Sequence, residues 1–131
     1  MEKFEPQSKN FKENIIESFK KQSFLSFIGA KLVDINPGKI QIEIYNNKNL
    51  HQQRGFFHGG VTTTIADVSM GYAALSLSKD NSEVLTTEFK INLLRPAVGE
   101  KLIARAEVIK YGKLLKICQS SVYCISEKND E

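Results

Sequence analysis

Between Gly55 and Ser78 the chain reads GFFHGGVTTTIADVSMGYAALSLS, and after His58 its one formally charged side chain is Asp67. An ionised carboxylate set among Ile65, Ala66, Val68 and Met70 is costly to bury unless something pairs with it. Three and four residues away stand Thr63, Thr64, Met70 and Gly71, so no local cation compensates. A carboxylate in that setting is a candidate general base or nucleophile. The glycines matter for a second reason. Gly59 and Gly60 open the segment, where the first-turn N–H groups of a helix lack internal partners and favour negative charge. A developing oxyanion at an acyl carbonyl is the charge such an end can hold, and one such donor is typically worth about 3 to 4 kcal/mol of barrier.

Gly59 and Asp67 are eight residues apart, which is about 12 Å along a helix axis with the two directions some 80° apart. One helix cannot close on a single carbonyl from both positions. If both groups act on one carbon, the carboxylate comes from a second copy of the chain, and a two-fold pair of antiparallel helices builds two equal sites.

The neighbouring elements must position this helix. Phe11, Ile15, Ile16 and Phe19 recur at helical spacing, which predicts a short amphipathic N-terminal helix with Ser8 or Asn10 as cap. AKLVDI and KIQIEIY flank Pro37-Gly38 and predict a hairpin over a type II turn, with Ile40, Ile42 and Ile44 on the buried face. VLTTEFKINLL again alternates, placing Leu85, Thr87, Phe89, Ile91 and Leu93 on one side and Thr86 on the other. KLIARAEVIK and LLKICQSSVYCI follow, joined by a turn at Tyr111-Gly112-Lys113, and SEKNDE reads as a solvated tail. Short-linked strands with one segregated helix predict an α+β fold, an antiparallel five-stranded curved sheet packed on one long helix. Val61, Ile65, Val68, Tyr72 and Leu75 form the stripe expected to face the sheet. Thr63, Ala66, Asp67, Met70, Ala74 and Leu77 carry too little charge for a wet face and predict a second subunit over part of it.

The 131 residues make one domain, with a core at about 23–125 and a helical segment at 1–22. A formal charge of +3 with scattered lysines excludes the dense basic stripe of a nucleic-acid surface. Asp67 and the Ser/Thr hydroxyls argue against a membrane span at 59–78, and the cytoplasm is the expected compartment. Cys118 and Cys124, six residues apart on one strand, would stand about 20 Å apart and cannot bridge each other. No spacing of Cys and His suggests a metal site, and no cofactor is expected. His51 reads as a solvated loop residue.

His58-Gly59-Gly60, Asp67 and Gly71, followed by TTEFKINLLRPAVGEKLIARAEVIKYGKLL, resemble the hotdog-fold thioesterases, specifically their PaaI-like branch, over roughly residues 23 to 125. The resemblance implies hydrolysis of acyl-CoA in a homodimer of hotdogs, commonly paired into a homotetramer. It implies that the Gly59 amide polarises the thioester carbonyl and that Gly60 lets the substrate lie close. Asp67 of the other protomer acts as base or nucleophile, and His58 orients the loop or the thioester. Gln52 stands where relatives usually carry Asn and helps to place the water or the carboxylate. Thr86 stands where some relatives use Ser to hold the water. Arg95, Lys110 and Lys113 are the expected contacts to CoA phosphates. Phe56, Phe57, Met70 and Tyr72 either line an aromatic or medium-chain acyl pocket or pack in the core. The competing reading from another class is a non-catalytic acyl-CoA binding or sensor protein on the same fold, which needs no buried base. A dehydratase would need a positioned Asp/His pair in another motif.

Overall fold

The computed structural model describes residues 4–126; the expected tail at 127–131 lies outside them. The elements run α1 (Phe11–Lys20), α2 (Ser23–Ile28), β1 (Ala30–Asn36), β2 (Lys39–Tyr45), α3 (Gly59–Leu75), β3 (Lys101–Tyr111) and β4 (Lys116–Ile125). The strands form one antiparallel sheet in the order β1-β2-β3-β4. α3 belongs to the excursion between β2 and β3, and it packs against β3, β4 and β2.

The hairpin turns where the Pro-Gly pair predicts it. Asn36 pairs with Lys39, and Gly38 takes φ +75°, the left-handed value that the third position of a type II turn demands. Ile40, Ile42 and Ile44 are buried as their alternation requires. Opposite them on β3 stand Ala106, Ala104 and Leu102, all buried. Those small alanines let the helix come close, with Ile65, Tyr72 and Ala73 of α3 in the same core cluster. Val61, Val68 and Leu75 pack on its margin. α1 and α2 contribute Ile15, Leu25 and Ile28, so the N-terminal segment is part of the core and not an appendage.

Part of the opposite side of α3 is closed within the single chain: Ala66, Ala74 and Leu77 are buried, Leu77 in the core itself. Leu77 lies past the last helical turn, and its carbonyl accepts a hydrogen bond from Gln7. One expectation is corrected, that of the fifth strand. Among the described residues the sheet has four strands, and residues 84–94 belong to no helix or strand. Alternation specifies which way side chains point, but a strand also needs a neighbouring ladder. Within one chain this segment stands away from β4. It touches α3 through Thr86 and through Leu93, whose Cδ1 lies against Gly59. Both of its sides are exposed, the apolar one included, with Leu85 at 86% and Leu93 at 61%.

Candidate active site

Between α3, the inward side of β4 and residues 82–98 lies a cleft of about 1950 Å³. Gly59, Ala66, Asp67, Met70 and Gly71 are on its helix wall; Gln52, Phe56, Thr86 and Arg95 are on the facing loops.

The glycine end of α3 shows how the first turn is satisfied. His58 is the N-cap residue, in extended conformation, and its Nδ1 accepts the Gly60 N–H at 2.8 Å. The Val61 and Thr62 N–H groups both reach the His58 carbonyl, at 2.9 and 3.4 Å. The Gly59 N–H alone, of these first amides, has no partner among the described residues. The capping loop is fixed in turn, because the His58 N–H donates to the Leu50 carbonyl and the Phe57 N–H to Ala97.

Two turns further along, Asp67 is half-buried, and its Oδ1 accepts a hydrogen bond from Thr86 Oγ1 at 2.7 Å. Sequence alone placed these two on separate elements; the structure brings them together in one chain. A carboxylate oxygen held in this way is oriented, and Oδ2 has no protein donor among the described residues. The Thr86 oxygen keeps lone pairs that can accept from a water molecule.

Gln52 lines the same cleft, but its side-chain oxygen is engaged by the Arg54 and Phe56 N–H groups of its own loop. Its amide NH₂ is the part left to act on a ligand. Arg95 and Lys113 are on the cleft. Lys110 is not: it sits opposite Ile117, just beyond an irregularity in the β3 register that follows Val108. His51 is not simply solvated. Its Nε2 meets Asn46 Oδ1 at 2.5 Å, and its ring packs edge-on to Phe57, so it braces the loop that carries His58.

Some cleft residues escaped the sequence reading. Lys79, Lys90 and Lys116 add cations to its wall. Cys118, Ser120, Val122 and Cys124, the more buried side of β4, line it too. Both cysteines are unbridged thiols. Burial pushes both thiols above the ordinary cysteine value, and the charge of Glu100 adds to the effect at Cys124. Neither is an activated nucleophile.

The long helix packs on an antiparallel sheet, and the cleft beside it presents an unpaired first-turn amide and an oriented carboxylate, an arrangement that could receive a polar carbonyl group. The Thioesterase superfamily model matches residues 54–124, and the chain belongs to that family. Its fold is the hotdog, and it is a thioesterase. A thioesterase family protein from Silicibacter pomeroyi is 36% identical, superposes with a TM-score of 0.88, and covers 92% of this chain and 88% of its own. Human acyl-coenzyme A thioesterase 13 is 28% identical over 110 residues, 82% of this chain and 78% of its own length. The 1,4-dihydroxy-2-naphthoyl-CoA hydrolase of Listeria monocytogenes is 26% identical over 101 residues, 77% of this chain and 82% of its own length. No helix among the described residues is long and apolar enough to cross a membrane.

Proposed function

We propose that the chain hydrolyses small aromatic or medium-chain acyl-CoA thioesters to the free acid and CoA, with Asp67 as base or nucleophile and the Gly59 N–H as oxyanion donor. The observation that carries this reading is the Thr86–Asp67 hydrogen bond, which aims a half-buried carboxylate into the cleft. In the base form of the mechanism, a water held by Thr86 attacks the thioester carbon while Asp67 takes its proton. The carbonyl oxygen gains negative charge at the Gly59 amide. The carbon–sulfur bond then breaks, and the CoA thiolate is protonated. In the nucleophile form Asp67 itself attacks the thioester carbon, the carbon–sulfur bond breaks to release CoA, and water then opens the resulting anhydride to the free acid and the regenerated carboxylate.

Phe56, Phe57 and Met70 supply apolar surface for the acyl group, and Arg95 and Lys113 suit the phosphates of CoA. The names of the two relatives, one acting on an aryl-CoA and one on acyl-CoA, support the same substrate range. The working unit is proposed to be a homodimer, further paired into a tetramer. Leu85, Leu94 and Leu114, each more than four-fifths exposed, are apolar surface that a second copy would cover. The roughly 12 Å between Gly59 and Asp67 on one helix then becomes useful. Each acyl carbon lies between the glycine end of one copy and the carboxylate of the other.

The test is thiol release from a panel of aryl, hydroxyaryl and straight-chain acyl-CoA compounds. Release with at least one class supports the reading; tight binding without release of any thiol favours a binding protein. Single-turnover hydrolysis in ¹⁸O water separates the two forms of the mechanism, since label entering Asp67 requires covalent attack.

A further inference from the structure

The two glycines after His58 have different surroundings. A Cβ built on Gly59 would meet one atom within 4 Å, the Leu93 Cδ1 at 3.3 Å, which is the far end of a flexible side chain. A Cβ built on Gly60 would lie 2.9 Å from Nδ1 and 3.4 Å from Cε1 of His58. The imidazole therefore lies against the α-carbon of Gly60 while its Nδ1 takes the Gly60 N–H at 2.8 Å. No other side-chain or distant backbone atom comes within 4 Å of that position.

We propose that His58 is a positioning residue and that Gly60 is glycine to admit its ring, not to admit substrate. The inference rests on the reading of Gly59 as the oxyanion donor. A ring nitrogen that accepts a hydrogen bond carries no proton, so the neutral ring has its proton on Nε2. The cap removes Gly60 from the set of open donors, and the His58 carbonyl removes Val61 and Thr62. What remains is a single N–H, that of Gly59, held by a capped first turn beside the cleft. A helix end with several competing open amides would solvate an anion diffusely; this one is reduced to one donor with one direction.

The consequence is a specific coupling between two side-chain positions. Gly60→Ala pushes the ring off its cap, and His58→Ala removes the acceptor. Each single change misaligns the same amide and should lower kcat about tenfold to a hundredfold, the scale of a small misplacement of a reacting group. The double variant should be no worse than either single one. Asn is an efficient N-cap residue whose side chain needs no space over the second helical residue, so His58→Asn should recover most of the kcat lost in His58→Ala. In that background Gly60→Ala should cost less than about threefold, against about ten or more in the presence of the histidine.

The experiment is this double-mutant cycle in kcat and KM, accompanied by amide exchange at residue 60 and the ¹⁵N shifts of the His58 ring. Fast exchange in both single alanine variants, and an Nε2–H ring in the unaltered protein, are expected. Additive losses of kcat, or a Gly60→Ala penalty that is confined to KM and persists in the His58→Asn background, would overturn the proposal and return Gly60 to the substrate. So would an Nδ1–H ring. Asp67→Asn is the separate control. If it retains full activity, the catalytic reading fails, while the exchange and ring-shift results still decide the cap.

Discussion

The C-terminal half of α3 is tied into the chain, whereas between its N-terminus and its middle one amide and one carboxylate oxygen are left for something else. Tyr72 accepts a hydrogen bond from Gln22 at 2.6 Å and shares another with Ser18 at 2.9 Å. Ser76 receives the Gly38 N–H at the tip of the first hairpin, and Ser78 meets the Tyr111 hydroxyl. Asp80 accepts from Ser8 and Asn14. At the other end Gly59 N–H is open, and Asp67 is held by one oxygen only. One helix thus carries a polar network with its groups matched, which fixes the fold, and a second network left incomplete, which is where a ligand can complete it.

Changes at the open end should act on rate, and changes at the closed end on stability. Asp67→Asn keeps shape and removes basicity, so kcat should fall by at least about a hundredfold with the melting temperature unmoved. An equal loss of melting temperature would erase the distinction. Tyr72→Phe takes an acceptor away from Gln22 and Ser18 and should cost about 1 to 3 kcal/mol in urea unfolding, with kcat preserved in the folded fraction. Thr86→Val, which is isosteric and cannot hold Asp67, should lower kcat about tenfold, since the carboxylate keeps its place but loses its orientation. Its unfolding midpoint should not change. Gly71 lies one turn beyond Asp67, and a Cβ there meets nothing within 4 Å. Replacing it with Ala should therefore raise stability by about 0.5 to 1 kcal/mol through helix propensity, read as a higher melting temperature.

The smallest effect concerns acid. Hydrogen bonds from Ser8 and then Asn14 hold the Asp80 carboxyl below its ordinary value of 3.8. A carboxyl depressed in the folded state stabilises above its unfolded value, and that contribution is lost as pH falls through the folded one. The difference in unfolding midpoint between the native protein and Asp80→Asn should therefore shrink between about pH 6 and about pH 3. A difference that stays constant would mean that Asp80 contributes nothing through its charge.

Much of the closed end was legible in the sequence. Helical spacing marked α1 and α3, and Pro37-Gly38 with alternating isoleucines marked the hairpin and its buried face. The Tyr72 network was not legible, because Ser18 and Gln22 belong to a segment about fifty residues earlier and nothing local links them. At the open end, the unpaired Asp67 stood out by the cost of burying it, and the helix start by its glycines. A role for Thr86 at the water rested on a resemblance, and its contact with Asp67 was not legible, since the alternation in 84–94 says only that Thr86 and Leu85 point opposite ways. The same alternation misled where it implied a paired strand, because pairing depends on what lies alongside. His58 at an N-cap position was within reach of sequence reasoning, yet the close fit of its ring over Gly60 required coordinates.

The tip of the first hairpin bears on the order in which the chain folds. Gly38 gives its N–H to Ser76 and takes the Val108 N–H on its carbonyl, so one turn joins the end of the helix to the third strand. β1 and β2 meet across two residues, but Tyr45 finds Lys101 only after the whole excursion from 46 to 100 has been gathered in. Closing so long a loop is slow unless some earlier structure shortens the search. The hairpin tip is placed to be that structure: once it captures the end of α3, β3 has both a partner strand and a floor. In a refolding time course, protection of the β1–β2 amides should precede that of β3 and β4, and Ser76→Ala should widen the delay.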